Sequence, residues 1–391
     1  MRIGVPRETK DGERRVGIVP AGVSALARTG HTILVERDAG HGSGFSDDDY
    51  ASAGAKIVAD AVDVWQSTLI VKVKEVQRAE IPLLRPATTI FGFAQINRDP
   101  TLLDALLESG VRVVAYETVR DEAGALPLLA PMSRIAGRLA PLVGGEALQT
   151  DRGGNGTLLT GVDGVEAARV VVIGAGSVGT EAARIAARLG CRVVVLSRGQ
   201  RRLDALARTL AAEQLCVTTT QLGSASSQLD SEIAAADLVI GAVLEPGTLS
   251  PKLISRAALR GMRRGSAFVD VGIDQGGIAE TSRMTTLSDP TYVDEGIVHY
   301  AAPNLPALVA RTATFALAAA TLPYVTALAD AGIADALDRD AGLAAGTMVW
   351  DGAITHGGLA TDARRRQVVA PWRRQSARVH ESAVGRIAGE P

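Results

Sequence analysis

The run Val170-Val171-Val172-Ile173, followed at once by Gly174-Ala175-Gly176-Ser177-Val178-Gly179, constrains this chain more than any other stretch. Four consecutive β-branched residues read as a strand buried on both faces. A helical pattern of alanines, Ile185 and Leu189 then starts near Glu181 without a break. Strand, G-x-G-x-x-G and helix together make the phosphate-binding turn of a doubly wound α/β domain. Gly174 makes the turn, Gly176 lets a pyrophosphate approach the backbone, and Gly179 lets helix and strand pack closely. Ser177 and Val178 open the helix, where N–H donors and the positive end of the dipole meet phosphate. The chain is expected to bind a dinucleotide.

The following strand bears on which one. Cys191–Leu196 should end where an Asp or Glu usually holds the adenosine ribose 2′-hydroxyl of NAD. Here that place is Ser197, followed by Arg198, Gly199, Gln200, Arg201 and Arg202. A carboxylate would repel a 2′-phosphate, whereas a hydroxyl with nearby guanidiniums binds one through charge-assisted hydrogen bonds. One of the paired arginines is expected to coat the solvent face of the next helix. Ser197, Arg198 and Arg202 therefore favour NADP(H) over NAD(H).

At 391 residues the chain fits two domains, and a formal net charge of −2 points to neither nucleic acid nor an anionic membrane. Its two cysteines, Cys191 and Cys216, have no metal-ligand spacing, and a reduced cytoplasmic protein is the simplest expectation. Thr312–Ala329 carries no charge, but it is rich in Ala and Thr and contains Pro323, so it reads as a buried helix rather than a membrane span.

Along the chain, short β runs at Ile3–Pro6, His31–Val35, Thr68–Lys74, Thr88–Phe93 and Val111–Tyr116 alternate with helical patterns such as Ala21–Thr29 and Pro100–Ser109. Met132–Leu148 reads as one long helix. A second βαβ series runs from Val170 through Asp237–Val243 and Ala267–Ile273 to about Val298–Ala302, and strands are expected to stop after Pro306. The tail crowds Arg364, Arg365, Arg366, Arg373, Arg374, Arg378 and Arg386, a solvated basic face by default.

Ligands in open α/β domains lie beyond the carboxyl ends of strands. Four polar features of this chain fall there: Arg15 after the first strand, Lys72 and Lys74, Gln95 with Asn97, and Asp274. Arg forks onto a carboxylate, Lys polarises a carbonyl or imine, and Asp handles protons, a set that suits a small 2-oxo or 2-amino acid beside a nicotinamide. His31, His41, His299, His356 and His380 read as structural or surface groups, and no hydrolase motif is present.

Those residues also carry a resemblance. Arg2-Ile-Gly-Val-Pro-Arg-Glu-Thr-Lys10, Glu13-Arg-Arg-Val16, Val71-Lys-Val-Lys-Glu75, Ala115-Tyr-Glu-Thr-Val119, Leu126–Ser133, Gly241-Ala-Val-Leu244, Ile273-Asp-Gln-Gly-Gly277 and Asn304-Leu-Pro306 resemble the alanine dehydrogenase and transhydrogenase α-subunit family. The resemblance implies two Rossmann-like doubly wound α/β domains with mostly parallel sheets and a cleft between them. Residues 1–129 plus 305–391 would form a discontinuous substrate domain, and 130–304 the dinucleotide-binding domain. It further implies a homo-oligomer, hexamer or dimer. Arg15 and Lys74 would hold the substrate, Asp274 would be the catalytic carboxylate, and Ser133 would meet the cofactor phosphates. Val243 and Leu244 would line the cofactor, with Asn304 near the nicotinamide.

Three departures stand out. Gln95 occupies the place of the alanine dehydrogenases' catalytic His, and Gln hydrogen-bonds but cannot shuttle protons near neutral pH. Ser197 replaces the ribose-binding Asp, and the basic tail runs past the usual alanine dehydrogenase end. Interconverting an oxo acid and an amino acid passes through a carbinolamine with several proton transfers, whereas reducing a preformed C=N bond needs one hydride and one proton. The leading expectation is thus an NADP-linked reductase or dehydrogenase acting on an amino acid or its imine, with Lys74, Gln95 and Asp274 in catalysis. Ordinary alanine dehydrogenation is the alternative within the class. A nucleotide-binding subunit like the transhydrogenase α subunit is the alternative outside it.

Overall fold

The computed structural model describes residues 1–223, 227–243 and 250–373. Two compact units result, one of Met1–Pro131 with the chain from Val309 onward, the other of Met132–Leu308.

Unit 1 opens with β1 (Arg2–Val5), β2 (Thr32–Glu36), β3 (Lys56–Val58), β4 (Leu69–Val71), β5 (Thr89–Gly92) and β6 (Arg112–Ala115). Unit 2 contains β7 (Arg169–Ile173), β8 (Arg192–Ser197), β9 (Thr218–Gln221), β10 (Leu238–Gly241), β11 (Ala267–Asp270), β12 (Thr291–Asp294) and β13 (Ile297–Tyr300). The chain then returns to unit 1 as the helix Ala310–Ala331 and the pair β14 (Thr347–Trp350) and β15 (Ala353–Ile354).

The strand order is β15-β14-β6-β5-β4-β1-β2-β3 in one sheet and β12-β13-β11-β10-β7-β8-β9 in the other. All pairings are parallel except β14 with β6 and β15, and β12 with β13. In unit 1 the chain winds outward from β1 in one direction through β2 and β3, then crosses back to β4 and continues through β5 and β6. Unit 2 repeats this from β7, with β8 and β9 on one side and β10, β11 and β13 on the other. Each unit therefore has a topological switch point, between β1 and β4 and between β7 and β10, where two loops diverge and leave a crevice at the strand ends.

The β-branched run behaves as its composition dictates. Val170 and Val172 join one apolar cluster with Leu238, Ile240 and Val269, while Val171 and Ile173 join another with Val239, Phe268 and Leu259 on the opposite face. Side chains alternate across a strand, so a strand covered by helices on both faces must be apolar at every position. Each such burial contributes about 1.5–3 kcal/mol. The helical pattern read from Pro100 is the helix Pro100–Glu108, capped by Asp99, whose carboxylate accepts from the N–H groups of Thr101 and Leu102 at 3.0 and 3.1 Å.

The expectation that strands stop after Pro306 is corrected by β14 and β15. They flank a turn at Asp351-Gly352, both at positive φ, and β14 extends the first sheet antiparallel to β6. Trp350 is fully buried and the Arg112 guanidinium lies 4.1 Å above its ring while forking onto Asp351 at 2.7 and 3.1 Å. A four-residue strand in a Gly-rich stretch shows no alternation in sequence, and long-range pairing alone makes it one. Helix Ala310–Ala331 buries Leu317, Val325 and Leu328 as expected. With the turn before it, Leu305–Ala331 is long and apolar enough to cross a membrane, and half of its apolar window is buried.

Candidate active site

The three glycines after β7 have three separate causes. Gly174 has φ +114°, and a Cβ there would lie 2.4 Å from the Ala242 carbonyl oxygen and 3.3 Å from Val243 Cγ2. At Gly179 a Cβ would fall 1.8 Å from the Gly174 carbonyl oxygen, so the helix Ser177–Arg188 rests directly on the turn. Among the described residues other than its chain neighbours, a Cβ on Gly176 would meet no atom within 4 Å. Packing among the described residues makes no demand for glycine at Gly176, and the bare backbone there leaves room for a ligand. Gly176 is the N-cap of that helix and supplies no side chain to its first N–H groups. The helix Ala130–Ala147 packs beside it, Gly137 lying where a Cβ would be 2.4 Å from the Val178 carbonyl oxygen. Ser133, one turn earlier and half-buried, lies on that same face. This donor set fits the diphosphate of a dinucleotide.

Ser197 ends β8 half-buried, and its Oγ accepts from the Gly199 N–H at 3.3 Å. Arg198, Arg201 and Arg202 are exposed beside it, with the Arg202 stem against Gly199. Asp274 lies half-buried in the short turn Ile273–Gln275 that follows β11. Asp270 staples this loop: its Oδ2 accepts from Ser282 Oγ at 2.6 Å and from the Ile278 N–H at 2.9 Å. Burial pushes the Asp270 carboxyl up, against the pull of those donors and Lys252. Asn304 follows β13 in the left-handed region at φ +65°, a strained state of the kind kept at functional sites. Val243 stands beside Gly174, and Leu244 lies outside the described residues.

In unit 1 the ends of β1, β4, β5 and β6 carry a cluster of buried charge. Arg15 is 2% exposed, and its Nε and Nη2 are committed to Glu13 at 2.7 and 2.5 Å. A substrate carboxylate therefore cannot take that edge of the fork without displacing Glu13. Lys72 and Lys74, two residues apart, have different fates. Lys72 turns into the core, donating to both oxygens of Glu80 at 3.1 and 2.8 Å and standing 3.4 Å from Glu8. Lys74, 3% exposed, pairs with Glu75 at 3.3 Å, and Glu75 is shared with Lys10. Burial by itself would raise the Glu75 carboxyl, but the two ammonium groups hold it down at about 2.

That depression has a measurable consequence. Glu75 ordinarily titrates near 4.5, so its contribution to stability is complete above that pH and is lost as pH falls toward about 2. Plotted as Tm against pH, Glu75→Gln should show a shallower acid limb than the parent over this window. Parallel limbs would mean the pair is equally formed in the unfolded chain.

Gln95 is left-handed, φ 44°, three residues past the end of β5. Glu117, from the turn after β6, accepts from the Gln95 N–H at 2.8 Å and from the Ala94 N–H at 3.0 Å, and Lys74 draws its charge. Burial nonetheless pushes the Glu117 carboxyl up.

The sequence-predicted residues thus fall into two sets: Arg15, Lys74 and Gln95 in unit 1, and Ser133, the glycine turn, Ser197, Arg198, Arg202, Val243, Asp274 and Asn304 in unit 2. His299 is a core group, stacked on Tyr292 at 4.7 Å and bonded to Thr281 Oγ1 at 2.9 Å, with burial lowering its pKa. Of the basic tail, Arg365 and Arg373 pair with Asp104 and Asp338 at 2.5 and 3.2 Å, while Arg374, Arg378 and Arg386 lie outside the described residues. Glu8, Glu117 and Asp270 were missed as supports. Each is a carboxylate at or just past a strand end, and that position was the available signal.

Residues 4–136 match the family described as alanine dehydrogenase/PNT, N-terminal domain, and residues 140–357 match its C-terminal domain. The chain is 46% identical to the alanine dehydrogenase of Halomonas elongata over 92% of this chain and 96% of that one. It is 43% identical to alanine dehydrogenase 2 of Staphylococcus aureus over the same shares. Among solved structures, an L-alanine dehydrogenase superposes with TM-score 0.87 at 42% identity, over 93% of this chain and 99% of that one. A transhydrogenase from Sinorhizobium meliloti, 23% identical, matches in fold with TM-score 0.78 over 91% and 100%.

Proposed function

The chain belongs to the alanine dehydrogenase/PNT family, a pyridine-nucleotide-dependent oxidoreductase acting on CH–NH2 groups, and from that premise we propose that it reduces the C=N bond of an imine to an amine with NADPH. Unit 2 would hold the cofactor through the turn Gly174–Gly179, Ser133 and Asn304, and bound reduced nicotinamide supplies the hydride. Arg15 and Lys74 hold the carboxylate end of the substrate. Asp274, directly or through water, delivers the proton that the nitrogen takes up. In the reverse sense the same groups serve oxidation of the amino acid.

Gln95 carries this reading. The place where alanine dehydrogenases resemble one another in a His holds an amide, clamped by Glu117 in a left-handed turn. An amide donates and accepts hydrogen bonds and so orients a substrate, but it cannot cycle a proton near neutral pH. That loss bears harder on carbinolamine formation and collapse than on reduction of a ready-made C=N bond. The test is NADPH and NADH oxidation with cyclic imino acids, with pyruvate plus ammonium, and with oxo acids plus amines. Turnover of imines but not of pyruvate plus ammonium is expected. Fast turnover of pyruvate and ammonium would overturn it in favour of alanine as substrate, the reading that the relatives' names favour.

The NADP preference rests on Ser197 at the end of β8 with Arg198 and Arg202 beside it. Ser197→Asp should weaken NADPH binding by about 10- to 100-fold and tighten NADH binding, since a carboxylate there repels the 2′-phosphate and accepts from a 2′-hydroxyl. Cofactor titration by nicotinamide fluorescence reads both. Unchanged NADPH affinity would remove Ser197 from the adenosine site.

A further inference from the structure

We propose that Glu8 is the positioning residue for Lys74, an assignment that rests on the reading of Lys74 as a substrate contact. Glu8 lies beyond β1, across the switch point from β4, and its side chain is 2% exposed. Its Oε1 accepts from the Val73 N–H at 2.5 Å and from the Lys74 N–H at 3.3 Å. Beyond the end of β4 at Val71, the Lys72 N–H still donates to the Phe91 carbonyl and the Val73 carbonyl accepts from the Phe93 N–H, both at 3.1 Å, so Glu8 takes the N–H groups of Val73 and Lys74 where pairing with β5 runs out. One carboxylate oxygen thereby sets the direction in which Lys74 departs.

Glu8 is itself fixed from behind. Lys72 Nζ stands 3.4 Å from Oε2 and is anchored by Glu80 and by the Glu75 carbonyl oxygen at 3.3 Å. The two lysines of Val71-Lys-Val-Lys74 thus divide their work. Lys72 faces inward and neutralises the buried acids that shape the turn, while Lys74, on the same side by strand parity, is diverted toward Glu75. Without an acceptor at Glu8, two buried N–H groups would be orphaned and the turn would re-form around other partners. Displacement of a substrate-holding group by about 1 Å costs up to about 100-fold in rate.

Two substitutions separate geometry from charge. Glu8→Gln keeps an oxygen at the same reach but loses the negative charge. Glu8→Asp keeps the charge but withdraws the oxygens by one carbon–carbon bond, about 1.5 Å. The positioning role predicts kcat/KM within about 3-fold of the parent for Glu8→Gln and about 10- to 30-fold lower for Glu8→Asp. NADPH affinity should be unchanged in both. In a Lys74→Ala background, Glu8→Asp should cost nothing further, because the residue it positions is gone.

The reverse order of the two variants, or a loss that adds fully to that of Lys74→Ala, overturns the inference. So do lowered Tm values with kinetic constants unchanged, the mark of a merely structural group. Should Lys74→Ala itself retain full activity, the assignment of Lys74 as a substrate contact fails instead, visibly and separately.

Discussion

Gly179→Ala is expected to abolish dinucleotide binding, with a loss of at least about 100-fold in affinity, equivalent to about 2.7 kcal/mol. The added Cβ would fall 1.8 Å from the Gly174 carbonyl oxygen, a backbone atom that cannot swing aside. Gly174 cannot yield either, since it is held at φ +114° with Ala242 immediately behind it. The helix Ser177–Arg188 would have to move off the turn, taking its N-terminal N–H groups away from the phosphates. Gly176→Ala is the informative companion. Among the described residues other than its chain neighbours, no atom lies within 4 Å of its Cβ position, so its Tm should stay at the parent value while NADPH affinity still falls by about 10-fold or more. Calorimetric melting and fluorescence titration of both variants decide the matter. A Gly176→Ala protein that binds NADPH normally would show that the diphosphate does not pass over this turn.

Lys74→Ala should lower kcat/KM by about 1,000-fold on whichever substrate the panel identifies, within the range seen when a positioned polar group acts on the reacting centre. Lys74 is 3% exposed among acids, pairing with Glu75 and drawing the charge of Glu117, so its ammonium is held in one place before any substrate arrives. The glycine turn and Ser197 belong to the other unit, so cofactor affinity should be unaffected. Glu75 keeps Lys10 as a partner, which limits the cost to folding. A variant that keeps activity within about 5-fold would remove Lys74 from the substrate site and return the carboxylate-binding role to Arg15 alone.

Much of this protein was determined by its sequence alone. Three glycines between a β-branched run and an alanine-rich helix spell out the turn in the sequence, and the demand on Gly179, set by the Gly174 carbonyl oxygen, is met within the turn itself. The alternation of apolar runs with helical patterns likewise pointed to two βαβ series with parallel sheets, since parallel strands need crossovers and each crossover leaves its own periodicity, while the doubly wound arrangement was what the resemblance implied. The tertiary structure alone decided what depended on distant neighbours. Strands β14 and β15 exist because β6 offers an edge more than 200 residues earlier in the chain. Lys72 and Lys74 look alike in sequence, yet one is buried against Glu8 and Glu80 and the other faces Glu75, a division set by carboxylates that arrive from separate loops. Glu117 and Asp270 stand at strand ends in the sequence, but which backbone N–H groups each one holds was decided by the fold.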